Sequence, residues 1–263
     1  MRTHRRLLVL TALVAVIGAS CGDPGPGEGG GRAGAGLEGT LTVSAAASLT
    51  ESFTDIGTAF EADHPGTTIT FTFDSSGTLS QQILDGAPAE VFASADEQSM
   101  NRLDDAELVP GEPTVFARNQ LAIVTKPGNP EGIESLADLA DAGIISLCGE
   151  DVPCGHLAAE SLDHAGVTIP ERSVTRGQNA KAALAAVREG DAVAGIVYVT
   201  DVRAAGNAVD SVEIPAEDNV VATYPAAVLA GAEDAALARA FVTYLSSDDA
   251  QAVLAGRGFL PAS

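Results

Sequence analysis

Residues 40–60 read TLTVSAAASLTESFTDIGTAF and contain two patterns in succession. Leu41 and Val43 alternate with threonines, which is typical of a strand with one buried face. From residue 49 onward, apolar residues recur every three or four positions, as they do on one face of a helix. These helix positions are Leu49, Phe53, Ile56 and Phe60. The segment therefore predicts a strand, a turn of small residues and a helix.

The same strand-then-helix order continues along the chain. Ile69, Phe71 and Phe73 alternate with threonines and predict a second strand, and a helix is expected over about 78–84. Further strands are expected near 91–93, 121–124, 144–147 and 193–199, and further helices near 100–108, 180–188 and 237–245, with Ser247 as the cap of a last helix. Such alternation predicts an α/β protein with mostly parallel sheets. In these proteins ligands bind where strands end and helices begin.

The N-terminal segment predicts export. Residues 1–20 form a signal peptide pattern, with a basic start, an apolar run too short to span a bilayer and small residues at the end. Cys21 follows directly and resembles the acylated cysteine of bacterial lipoproteins, although Gly18 stands where such signals usually carry Leu. We expect a lipid on Cys21 that anchors the protein to the cell membrane outside the cytoplasm, with plain secretion as the alternative. Residues 21–39 are rich in Gly and Pro and predict a tether.

Composition excludes several classes of function. The formal net charge is −22, and a nucleic-acid partner would need a basic surface. The chain has no Trp, which argues against a stacking platform for sugars or nucleobases. The four His residues have no metal-ligand spacing, and we find no phosphate loop, dinucleotide fingerprint or nucleophile elbow. We therefore expect neither an enzyme nor a cofactor.

Three loops between strands and helices could bind a ligand. Ser48 is followed by Glu51 three residues later, which could be only a capping box, but the small residues before it leave room for a ligand. Ser76 lies in a Ser/Gly turn at a helix start, where N–H groups and hydroxyls can hold an anion. Tyr198 ends an aliphatic strand, and its hydroxyl needs either a backbone carbonyl or another acceptor.

Cys148 and Cys154 lie in one loop of an exported chain, so a disulfide is the simplest interpretation. The alternative is a catalytic thiol, because His156 and His164 lie nearby in the sequence. A secreted thiol or serine hydrolase that uses Cys154 or Ser76 is therefore a remote alternative function.

Taken in order, these motifs resemble the periplasmic molybdate-binding proteins of ABC importers. The matching segments are 45–49, 74–79, 86–96, 195–201 and 258–259, and together they extend over residues 40–259. The resemblance implies the type II periplasmic-binding-protein fold, in which two α/β lobes face each other across a ligand cleft and are joined by two hinge crossings. We expect the crossings near 119–121 and 223–227. The first lobe then holds 40–119 plus 227–263, and the second holds 120–226.

The resemblance also implies a set of ligand contacts. The hydroxyl and backbone N–H of Ser48 and Ser76, the backbone N–H of Cys154 and Ala180, and the Tyr198 hydroxyl would bind the oxyanion. Cys154 replaces a small residue such as Ala, and Ala180 replaces Val, but both would contribute only backbone N–H. The implied function is capture of molybdate, and also tungstate, by a monomer that delivers it to ABC permease subunits. Molybdenum would be bound only as the oxyanion, and the alternative ligands are sulfate, phosphate or another oxyanion.

Overall fold

The structure is a computed structural model that describes residues 36–263. The predicted signal peptide, the lipidation site at Cys21 and most of the predicted tether lie outside the described residues. Among residues 36–263, none of the helices combines the length and the hydropathy that crossing a bilayer would require.

Strands and helices alternate through the described residues. The strands are β1 (Gly39–Ala46), β2 (Thr67–Asp74), β3 (Val91–Ala93), β4 (Thr114–Asn119), β5 (Leu121–Thr125), β6 (Ile145–Cys148), β7 (Val174–Gly177), β8 (Ala194–Tyr198), β9 (Asp210–Glu213) and β10 (Ala222–Val228). The α-helices are α1 (Thr50–Asp63), α2 (Ser76–Leu84), α3 (Glu97–Asp105), α4 (Pro153–His164), α5 (Ala180–Arg188), α6 (Val199–Ala205), α7 (Ala235–Tyr244) and α8 (Asp248–Arg257).

The strands form two five-stranded sheets. The first has the order β2-β1-β3-β10-β4 and the second the order β7-β6-β8-β5-β9. In each sheet the pairs at one side are parallel, namely β1 with β2 and β3, and β6 with β7 and β8. The pairs that involve β10 or β5 are antiparallel. The expectation of mostly parallel sheets is therefore wrong, because β5 and β10 are the strands by which the chain enters a sheet from the other one.

The chain passes between the sheets twice. The first passage is the single residue Gln120, between β4 and β5, and the second is 214–221, between β9 and β10. The second passage lies before the predicted 223–227, because residues 222–228 pair with β4 and β3 of the first sheet. Asn219 in the second passage accepts a hydrogen bond from the Leu121 N–H (3.1 Å) and donates one to the Leu121 carbonyl (2.9 Å). The two passages are thus tied together.

The helix predicted from the first segment packs its apolar face into the core. Phe53, Ile56 and Phe60 of α1 are fully buried. The Phe53 ring meets Phe116 of β4 and Phe241 of α7 at centroid distances of 5.6 and 6.0 Å. Burying an aromatic side chain of this size contributes about 1.5–3 kcal/mol, so these contacts fix α1 against the first sheet.

Candidate functional site

Ser48 and Ser76 meet at one edge of the first sheet. Strands β1 and β2 are parallel neighbours, and their last residues, Ala46 and Asp74, are directly paired. Ser48 follows the end of β1 by two residues, and Ser76 is the first residue of α2. Both side chains are buried. The carboxyl ends of these strands therefore present two hydroxyls and the N-terminus of a helix at the same place.

The other predicted residues lie at the end of a strand of the second sheet or at the start of the helix that follows such a strand. Cys154 is the second residue of α4, Ala180 is the first residue of α5, and Tyr198 is the last residue of β8. Backbone N–H groups in the first turn of a helix have no carbonyl partner within that helix, and they carry partial positive charge. Cys154 and Ala180 can therefore serve as donors whatever their side chains are.

All five residues predicted from the sequence line one pocket between the two sheets. Its wall consists of Ala46, Ala47, Ser48, Ser75, Ser76, Ala95, Pro153, Cys154, Asn179, Ala180 and Tyr198. The empty space, with the mouth included, is about 210 Å³. The enclosed cavity itself is about 10 Å³, far below the range of typical small-molecule sites, about 300–1,000 Å³. The wall contains no charged side chain, so a bound anion would be held by neutral donors.

Two adjacent serines have different tasks at the start of α2. The Ser75 hydroxyl caps the helix by accepting the Thr78 N–H at 3.1 Å. The Ser76 hydroxyl oxygen instead accepts the Ala95 N–H at 2.9 Å. Because that bond occupies a lone pair, the Ser76 proton stays available to an acceptor in the pocket.

The capping-box interpretation of Ser48 is wrong. A short 3₁₀ turn (Ala47–Leu49) precedes α1, and the residue that caps α1 is Leu49, which has no capping side chain. The Ser48 oxygen lies 2.9 Å from the hydroxyl oxygen of Tyr224, in β10. Glu51 does not reach back to the helix start, and it pairs with Lys181 of α5. Ser48 is therefore free of a capping role.

The Tyr198 hydroxyl is buried and has no hydrogen-bond partner among the described residues. The backbone carbonyl that the sequence suggests as a possible acceptor for this hydroxyl is therefore not found among these residues. Burial raises the pKa of Tyr198 well above its ordinary value, so the hydroxyl keeps its proton. A buried donor without an acceptor costs about 1–3 kcal/mol, and an anion in the pocket would remove that cost.

Three polar pairs near the pocket connect residues on the side of the first sheet with residues on the side of the second sheet. Nζ of Lys181 lies 2.6 Å from both carboxylate oxygens of Glu51. The Asn179 amide donates to the Asp74 carboxylate at 3.0 Å. His156 of α4 lies 3.4 Å from Asp96, which caps α3. Each pair holds one residue from each side of the pocket and so ties the two sides together.

The cysteine loop does not provide a nucleophile. In the structure a disulfide joins Cys148 to Cys154, with their Cα atoms 5.7 Å apart. Among residues 36–263, no histidine is hydrogen-bonded to Ser48 or Ser76. In the same range no cluster of three or more His, Cys, Asp or Glu side chains could hold a metal ion. The arrangement can bind an anion but has no group that would activate a serine or a thiol.

Sequence reasoning missed two residues behind the pocket wall, Tyr224 and Asn119. The Asn119 amide donates to the Tyr224 hydroxyl at 3.3 Å and to the Thr200 hydroxyl at 2.9 Å. Asn119 and Tyr224 are fully buried. The one signal in the sequence is a Tyr between Thr223 and Pro225 in a run of mostly small apolar residues, which by itself does not identify its partners.

Comparison with known proteins gives the same fold and a consistent set of relatives. A family model described as bacterial extracellular solute-binding protein matches residues 41–260. The chain is 38% identical over 221 residues to the molybdate-binding protein ModA of Mycobacterium tuberculosis, over 84% of both chains. It is 31% identical to ModA of Haemophilus influenzae, over 83% of this chain and 89% of the relative.

A solved structure confirms the predicted fold class. The periplasmic molybdate-binding protein of Azotobacter vinelandii superposes with a TM-score of 0.76 at 22% identity, over 84% of this chain and 98% of that one. At this identity the likeness establishes the fold alone.

Proposed function

Since the chain belongs to the family of bacterial extracellular solute-binding proteins, we propose that it captures molybdate outside the cytoplasm and delivers it to the permease of an ABC importer. It is a binding protein of a transport system and not an enzyme. Relatives that match most of its length are named molybdate-binding proteins. The observation that carries the proposal is the convergence of neutral donors from two sheets on one small pocket, where the Tyr198 hydroxyl has no acceptor.

The donor set suits a fully deprotonated oxyanion. Molybdate offers only acceptor oxygens, and the protein groups that we propose to bind it are all donors. They are the hydroxyls of Ser48, Ser76 and Tyr198 and the backbone N–H groups of Cys154 and Ala180. A hydrogen bond to a charged partner contributes about 1.5–3 kcal/mol. After the costs of ordering and desolvation, a handful of such bonds supports a dissociation constant between about micromolar and nanomolar. Tungstate is nearly isosteric with molybdate, and we propose that it binds as well.

We propose that the two sheets are the cores of two lobes that close on the ligand. The first lobe holds 40–119 and 222–263, and the second holds 121–213. Ser48 and Ser76 belong to the first lobe, whereas Cys154, Ala180 and Tyr198 belong to the second. A ligand that contacts both lobes binds the closed form more tightly and shifts the population towards it. The permease would then recognise the closed, loaded form.

We further propose that a lipid on Cys21 anchors the protein, as a monomer, at the outer face of the membrane. The order of basic, apolar and small residues before Cys21 supports this placement. Radioactive palmitate should label the protein made in its bacterial host, and a Cys21→Ser variant should not be labelled. Equal labelling of both would contradict the anchor.

Isothermal titration of the purified protein tests the proposed ligand. We expect one molybdate per chain, with tungstate close behind. Sulfate is smaller than the pocket's proposed ligand and should bind at least about tenfold more weakly, and phosphate should also bind weakly. The absence of heat with molybdate, or tighter binding of sulfate or phosphate, would contradict the proposal.

A further inference from the structure

We propose that Asn119 and Tyr224 are positioning residues that make Ser48 present its proton, and not a lone pair, to the ligand. This inference rests on the proposed function. Its consequence is selection among anions of equal charge. An oxyanion without a proton is preferred over one that carries a proton, such as hydrogenphosphate.

The Asn119 amide is held in one orientation. The Gln120 N–H donates to the Asn119 oxygen at 2.9 Å, which fixes that oxygen on the side of the chain passage. The Asn119 nitrogen therefore points the other way. Its two protons go to the hydroxyl oxygens of Thr200 (2.9 Å) and Tyr224 (3.3 Å).

The orientation of Asn119 determines the direction of the Tyr224–Ser48 hydrogen bond. Geometry alone allows either hydroxyl to donate across the 2.9 Å that separates their oxygens. Because the Tyr224 oxygen already accepts a hydrogen bond from the Asn119 amide, the hydroxyl's own proton is free to form the bond to Ser48. Burial raises the pKa of Tyr224 well above its ordinary value, so that proton stays in place.

The direction of this hydrogen bond determines what Ser48 presents to the pocket. Ser48 accepts from Tyr224, and its oxygen has no other hydrogen-bond partner among the described residues. The Ser48 proton is therefore directed to the pocket that the residue lines. Ser76 is set in the same way, since its oxygen accepts the Ala95 N–H. A ligand oxygen that carries a proton would meet protons on both serines.

Asn119→Asp reverses this arrangement with almost no change in shape. A carboxylate at position 119 accepts a hydrogen bond from the Tyr224 hydroxyl, so that the Tyr224 oxygen accepts from Ser48 and the pocket faces a serine lone pair. Tyr224→Phe removes the link and leaves Ser48 free to turn. Tyr244→Phe is the matched control, because the Tyr244 hydroxyl contacts Asp63 and not the pocket.

The test is the ratio of two dissociation constants at about pH 8.5, where molybdate and hydrogenphosphate are both dianions. Titration gives the molybdate constant, and competition against molybdate gives the phosphate constant. In Asn119→Asp we expect weaker molybdate binding and a fall of at least about tenfold in the preference for molybdate. In Tyr224→Phe we expect a loss of about three- to tenfold for molybdate and a smaller fall in the preference. Tyr244→Phe should match the wild type.

The outcomes separate the two proposals. If wild-type protein binds no molybdate, the proposed function fails, and the positioning role fails with it. If wild type binds but both variants keep its preference, the positioning role alone is overturned, because a merely structural role would weaken both anions equally. Should Asn119→Asp not fold, Tyr224→Phe decides by the same ratio.

Discussion

Tyr198 carries a hydroxyl that is costly without a ligand and useful with one. Its oxygen is buried without a partner among the described residues. In Tyr198→Phe we expect molybdate affinity to fall by about 10- to 100-fold, because a hydrogen bond to a charged acceptor is lost. The unfolding free energy of the ligand-free protein should stay equal or rise, since an unpaired donor has been removed. Calorimetric titration and urea denaturation measure the two quantities.

The opposite signs of these effects make the prediction specific. A variant that binds molybdate like the wild type would show that Tyr198 does not contact the ligand. A variant that is clearly less stable without ligand would show that the hydroxyl has a structural partner.

Asp201 predicts a pH dependence of stability. Its carboxylate is buried, no hydrogen-bond partner exists for it among the described residues, and Nζ of Lys181 lies 3.9 Å away. Burial raises the pKa of Asp201 from 3.8 to about 6, although the Lys181 ammonium opposes the rise and Glu51 adds to it. Between these values the folded protein holds a proton that the unfolded chain has lost. The contribution of protonated Asp201 to the unfolding free energy is therefore complete below pH 3.8 and is lost as the pH rises through about 6.

The matching variant is Asp201→Asn. At pH 8 its unfolding free energy should exceed that of the wild type, by at most on the order of 3 kcal/mol, and near pH 4 the difference should vanish. Urea denaturation at both values measures this, with Asp191→Asn, at an exposed position, as the control. A difference independent of pH would refute the explanation.

The residues of the site differ in how far the sequence could reveal them. Ser48, Ser76 and Tyr198 each stand where a predicted strand ends, so the rule for ligand positions in α/β proteins directs attention to them. The partners of Ser48 could not be found in that way. Tyr224 lies 176 residues from Ser48, and Asn119 lies 105 residues from Tyr224. Which residues meet across such separations depends on the pairing of β10 with β4, which no local pattern specifies.

The start of α2 lies close to the loop before α4. A Cβ atom built on Gly77 would lie 2.8 Å from the carbonyl oxygen of Asp151, which is too short for an unstrained contact. The close approach of α2 to this loop thus depends on residue 77 being a glycine, which has no Cβ atom. In Gly77→Ala we expect molybdate binding to weaken by tenfold or more, because the two sides cannot approach fully.

Folding itself should not suffer from this change. Alanine has a higher helix propensity than glycine by about 1 kcal/mol, so the ligand-free variant should be at least as stable as the wild type. Gly256→Ala in α8 is the matched control, because a Cβ atom there meets nothing within 4 Å. Titration and thermal unfolding of both variants provide the measurements. Unchanged binding by Gly77→Ala would contradict the role of this contact.

Some elements follow from local pattern and others do not. Helix α5 begins and ends at the predicted residues 180 and 188, because its apolar positions have helical spacing and Asn179 caps it. Helix α4 was not predicted, because its first residues contain the Pro and Cys of an apparent loop. Proline is compatible with the first helical turn, where its missing N–H has no partner in any case. Residues 223–227 belong to β10 and are not the predicted crossing. A proline in a sequence argues against a central strand, but Pro225 lies at an irregularity in the pairing of β10 with β4, where it is tolerated.

The proposed closure would change the dimensions of the protein by a measurable amount. Small-angle X-ray scattering should show a smaller radius of gyration when saturating molybdate is added, because the ligand joins groups from both lobes. Gly77→Ala should compact less at the same ligand occupancy. Identical scattering of wild-type protein with and without molybdate would mean that the closed form already prevails in solution, and ligand-driven closure would be excluded.

If the proposed lobes part, the hydrogen bonds between Asn219 and Leu121 limit that movement. They fasten the long second passage to the residue that follows the one-residue first passage, so the two connections cannot slide past each other. Translation along the interface is thereby suppressed, and swinging about a single axis through both connections remains. In such a movement the rim farthest from this axis travels the greatest distance, and we expect a bound ion to leave there first. Release can then occur without any strand changing its register.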